Sequence, residues 1–105
     1  MTPAEPEEKP PVVDCTSLTA VPKFAQVEVL QLICAVCHSS KKTGAERQGA
    51  PDAVNFDTYA AAAANANQAA IEVNVDAMPP AGKAIALTTA QKNVLFDWAM
   101  CGAPQ

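Results

Sequence analysis

Cys34, Cys37 and His38 stand together in the run Cys34-Ala35-Val36-Cys37-His38. A C-x-x-C-H run is the attachment pattern of a covalent c-type haem. The spacing has a chemical reason. Two cysteines three residues apart can form thioethers to the two vinyl groups on one edge of a porphyrin. The adjacent histidine is then carried beneath the ring, where an imidazole nitrogen meets the iron. Three other readings of these residues stay open and rank lower. A thioredoxin-like C-x-x-C expects a strand–helix setting, which the sequence does not suggest. A zinc site would need a fourth ligand and an awkward use of adjacent Cys37 and His38. A plain Cys34–Cys37 disulfide leaves the neighbouring histidine unexplained.

His38 is the chain's one histidine, so a second imidazole from the same chain cannot complete the iron's coordination. Met78, followed by Pro79 and Pro80, offers a thioether instead. Thioether sulfur is a soft ligand, and His/Met ligation raises the reduction potential of a haem. Two prolines stiffen the backbone after Met78, so less entropy is lost in holding the sulfur. Met100 competes, but its place beside Trp98 favours packing, and Met1 is terminal.

Three helical segments must position these groups. The first is expected from Pro22 to Cys34, with proline in the first turn and Phe24, Val27, Leu30 and Ile33 at near-helical spacing. The second lies within Phe56–Val73, where an alanine run favours helix and Asn55 could cap it. Asn65 and Asn67 are candidates to break it. The third starts at Thr88, which forms a capping box with Gln91. Val94, Leu95, Trp98 and Cys101 then make one apolar face, before Gly102 and Pro104 end the helix. Loops fill 39–54 and 76–87, and no alternating β-branched run appears. The fold class is all-α.

Residues 1–14 hold four prolines and a net charge of −3, and read as a disordered tail or tether. The domain proper is 15–105, which carries only −1 of the total −4. A nearly neutral body has no basic footprint for nucleic acid. The longest apolar run, 27–37, is interrupted by Glu28 and Gln31 and is far short of the ~20 residues of a membrane span. The first dozen residues lack the cationic-then-apolar pattern of a secretory leader, so a leader is expected to have been cleaved or replaced. Half the residues are hydrophobic, yet only 5% are aromatic and many are alanine. Side chains alone fill little volume, and a bulky apolar cofactor would make good the shortage. Lys41, Lys42, Arg47 and Lys83 read as ordinary solvated loop charge rather than as a docking rim or propionate partners. Tyr59, Asn65 and Gln68 are further candidates to bond a propionate or the Met78 sulfur, and Trp98 reads as core rather than as an electron relay.

The order of helix, C-x-x-C-H, Met78-Pro79-Pro80 and then Trp98 through Gly102-Ala103-Pro104 resembles the class I monohaem cytochromes c of bacteria. The resemblance covers about residues 24–105. It implies the cytochrome c fold, three to four helices around one haem c bound at Cys34 and Cys37, with His38 and Met78 as axial ligands. It further implies that the first and last helices cross, with Phe24 and Val27 meeting Leu95 or Trp98. A proline carbonyl, Pro51 or a neighbour, would accept from the other ring nitrogen of His38. In this fold Cys15 and Cys101 come close, and the oxidising compartment that haem attachment requires would keep them as a disulfide. The implied role is one-electron transfer between redox proteins outside the cytoplasm, in a periplasmic setting, and not an enzymatic one. The alternative is a gas-binding or sensory haem domain whose sixth ligand is labile or absent.

Overall fold

Alanine has the highest helix propensity, and the alanine-rich middle of the chain winds accordingly. In the computed structural model, which describes residues 9–47, 53–78 and 86–105, every regular element is a helix or helical turn and no strand occurs among the described residues. A single 3₁₀ turn at Cys15–Ser17 comes first, and the Asp14 carboxylate caps it by accepting from Thr16 N at 3.1 Å and Thr16 Oγ1 at 2.6 Å. Ahead of it Pro11 is buried and the Lys9 carbonyl accepts from Asn74 Nδ2 at 2.9 Å.

The expected first helix, Pro22–Cys34, is not continuous. It divides into a 3₁₀ turn at Phe24–Gln26, a π-helical turn at Leu30–Cys34 and a final α turn, α1, at Ala35–Cys37. The interruption falls at Val27, whose ψ of 71° leaves the helical region. This lets Val27, Val29 and Leu30 all enter the core, which one straight α face could not arrange. Leu32 is left 65% exposed. A π turn holds an extra residue, so it resets the angle at which Cys34 and the chain beyond it leave the helix.

The second segment is two helices, α2 at Tyr59–Ala64 and α3 at Ala66–Asn74. Thr58, not Asn55, caps α2, its hydroxyl accepting from Ala61 N at 3.3 Å. The break falls at Asn65, whose side-chain amide donates back to the Ala61 carbonyl at 2.8 Å. Such local side-chain bonds compete with the helical ladder and bend the chain. A left-handed Asp76 (φ 59°) ends α3 and folds Ala77 N and Met78 N onto the Glu72 carbonyl, at 2.8 and 3.1 Å.

The last helix, α4, spans Thr89–Met100. Its capping box is complete: Gln91 N donates to Thr88 Oγ1 at 3.1 Å and Thr88 N to Gln91 Oε1 at 2.8 Å. α3 packs along α4, and small residues such as Ala66, Ala69, Ala70 and Ala99 let the two come close. Trp98, Leu30, Leu95 and Val27 are the largest fully buried side chains. The Phe24 ring meets Trp98 at 6.2 Å and Tyr59 edge-on at 5.6 Å. No described helix is long and apolar enough to cross a membrane.

Beyond α4 the chain turns through left-handed Gly102 (φ 98°) and Ala103 (φ 47°). This turn aims the Pro104 carbonyl at Trp98 Nε1 and Phe24 N, both 2.9 Å away, while the Ala103 carbonyl accepts from Tyr59 Oη at 2.8 Å. Cys15 and Cys101 are joined by a disulfide, with Cα atoms 5.7 Å apart.

Candidate functional site

His38 stands one residue past α1 and is fixed at three points. Its amide donates to the Cys34 carbonyl at 2.9 Å and its carbonyl accepts from Phe56 N at 2.8 Å. Its ring Nδ1 lies 2.9 Å from the Val54 carbonyl, and its ring meets Phe56 edge-on at 5.3 Å. A carbonyl oxygen can only accept, so Nδ1 carries the proton. The lone pair of the neutral imidazole is therefore on Nε2, as a metal ligand requires.

The acceptor is Val54, where the resemblance implies Pro51 or a neighbour; Pro51 itself lies outside the described residues. Val54 belongs to a segment stitched to the turn after His38. Ser40 donates to the Asp57 carboxylate through N (3.1 Å) and Oγ (2.6 Å), and Gln31 Nε2 donates to the Phe56 carbonyl at 3.2 Å. The Ser40 hydroxyl and amide hold the Asp57 carboxyl below its ordinary value.

The loop cations do not behave as solvated charge throughout. Lys41 is exposed, but Lys42 donates from Nζ to the Val36 carbonyl at the end of α1, where a cation suits the helix dipole. Arg47 is 98% buried, for only 2% of it meets solvent. Its Nη1 donates to the carbonyls of Ser39 (2.7 Å) and Lys42 (3.4 Å), and its Nη2 to Val54 (3.0 Å). Lys83 lies outside the described residues.

Cys34 ends the π turn with its thiol half-buried, and burial pushes that thiol up to about 11. It therefore stays neutral at physiological pH, unlike the thiolate of a redox-active C-x-x-C. Cys34, Val54 and Met78 all pack against the same apolar core. Met78 follows directly from the left-handed turn that closes α3, and Pro79 and Pro80 lie outside the described residues. The three candidate propionate or sulfur partners are engaged elsewhere. Tyr59 holds Ala103, Asn65 holds Ala61 and Asn55, and Gln68 donates to Glu72 at 2.6 Å.

Sequence reasoning missed Arg47, Val54 and Phe56 as supports of His38. Arg47 sits in a polar loop with other charges, and nothing in its neighbours separates a buried arginine from a solvated one. A carbonyl acceptor has no side-chain signature at all. Set against models of protein families, curated proteins and solved structures, the chain matches none.

Proposed function

We propose that this protein is a one-electron carrier of the class I monohaem cytochrome c type. Its haem c would be held by thioethers from Cys34 and Cys37, with His38 and Met78 as the axial ligands. The observation that carries the reading is the imidazole of His38, whose Nδ1–H is tied to the Val54 carbonyl and whose Nε2 keeps its lone pair. Nothing in a structural disulfide needs that arrangement, whereas metal ligation does. A neutral, half-buried Cys34 thiol and a core in which six of the thirteen buried apolar residues described are alanine suit an apolar group at the same place.

A covalently bound haem supplies an Fe(III)/Fe(II) couple. The chain's own contribution is to hold its ligands still. The ring donates to the Val54 carbonyl, while the His38 backbone donates to the Cys34 carbonyl and accepts from Phe56 N, so the imidazole is held and little nuclear rearrangement accompanies a change of charge nearby. The Glu72 carbonyl secures the backbone of Met78, leaving its thioether on the apolar side. Two protein ligands would leave no open position for substrate chemistry, which fits a carrier rather than an enzyme. Partners are then redox proteins met through small, short-lived interfaces. Covalent attachment and the Cys15–Cys101 disulfide both fit a periplasmic or other extracytoplasmic place.

The test is a mass spectrum of protein matured in a host with haem-attachment machinery. One added haem per chain is expected. Colourless protein with the thiols of Cys34 and Cys37 free would sink the reading. Ready binding of carbon monoxide by the reduced form would instead point to the gas-binding alternative.

A further inference from the structure

A buried arginine and His38 share one carbonyl oxygen. Val54 O lies 2.9 Å from His38 Nδ1 and 3.0 Å from Arg47 Nη2, and a carbonyl has two lone pairs, so both bonds form together. We propose that Arg47 is a positioning residue that acts on His38 through the Val54 carbonyl and raises the reduction potential of the centre. The inference rests on the electron-carrier reading and extends it to a residue that touches neither ligand nor iron.

The effect runs through the shared hydrogen bond. The guanidinium draws on the electron density of the Val54 carbonyl, which makes that oxygen a weaker acceptor for Nδ1–H. An imidazole whose proton is less strongly held by its partner donates less to a metal, and less donation favours the reduced state. The fork is essential to the geometry. Nη1 grips Ser39 and Lys42 while Nη2 grips Val54, so one rigid group ties both sides of the loop. A lysine ammonium at this place keeps the charge and loses the fork.

The experiment uses haem-loaded protein and compares wild type with Arg47→Gln and Arg47→Lys. Potentials are read by spectroelectrochemistry, and the His38 Nδ1 proton by NMR in the reduced state. Arg47→Gln should lower the potential and move the Nδ1 proton downfield, as the freed carbonyl binds it more strongly. Arg47→Lys, which loses the fork, should show the same downfield movement and the same direction of change in potential. A purely structural arginine predicts the opposite, an upfield, fast-exchanging Nδ1 proton and a potential unchanged or raised, and that result overturns the inference. Should neither variant fold, the wild type decides: through-hydrogen-bond NMR couplings from the Val54 carbonyl to both His38 Nδ1–H and Arg47 Nη–H support the inference, and the absence of the Arg47 coupling overturns it. Wild type that takes up no haem fails earlier and brings down the electron-carrier reading with it.

Discussion

One carbonyl, Val54 O, holds the Nδ1 proton of His38 and so leaves Nε2 as the nitrogen of the neutral ring with a free lone pair. Met78 presents the complementary question, since its backbone is anchored by Glu72 while its thioether rests on the apolar core. Replacing it by alanine should lower the reduction potential and let carbon monoxide bind the reduced protein. A titration of potential, followed by addition of carbon monoxide, checks both, and no change in either removes Met78 from the ligand set. Asp57 supports the same loop by different chemistry. Bonds from Ser40 favour its charged form, so its pKa is lower folded than unfolded. The stability it contributes is thus complete above about pH 4 and is lost as pH falls through the lower, folded value. Urea midpoints of wild type should exceed those of Asp57→Ala at neutral pH, and the gap should close in acid. The gap will be modest, because the carboxylate faces solvent. A gap independent of pH would mean the Ser40 bonds do not favour the carboxylate.

The start of the last helix is legible in the sequence. Thr88 and Gln91 form the capping box that their spacing announced, because the motif is local and needs no tertiary partner. Thr88→Ala should cost about 1 kcal/mol, seen as a lower denaturant midpoint at unchanged slope. The break near Asn65 was also visible, since an asparagine that can bond its own backbone is a weak helix former. Two features were not legible. Asn55 and Thr58 are both acceptable caps, and only the path of the chain past His38 selects Thr58. The division of the first segment was hidden because Phe24, Val27, Leu30 and Ile33 keep an acceptable helical spacing. Burying Val29 alongside Val27 and Leu30 is a tertiary demand, and the Val27 kink and π turn meet it. For the site, the residues proposed to offer sulfur and imidazole nitrogen rest on type and spacing in the sequence. The supports were not legible there, because Val54 acts through its backbone and Arg47 through its burial.

At the scale of the molecule, the start and the end of the domain are clasped to each other. The Pro104 carbonyl takes bonds from Phe24 N and Trp98 Nε1, Ala103 takes one from Tyr59, and the Cys15–Cys101 disulfide joins positions 86 residues apart. A core with so much alanine has little volume to hold these segments by packing alone, so covalent closure matters more than it would in a larger domain. In the chain-entropy account a loop of this length is worth roughly 4–5 kcal/mol, because it restricts the unfolded chain. Replacing both cysteines by serine should therefore lower the unfolding free energy by an amount of that order, read as a lower urea midpoint. The slope against urea should rise, since the opened unfolded chain exposes more surface. The hydrogen bonds to Pro104 and Ala103 form independently of the sulfurs, so the native fold and the potential of the haem-loaded protein should persist. A much smaller loss of stability, with no change of slope, would mean that the unfolded chain already keeps its two ends together. The clasp would then be held by Trp98, Phe24 and Tyr59 rather than by the disulfide.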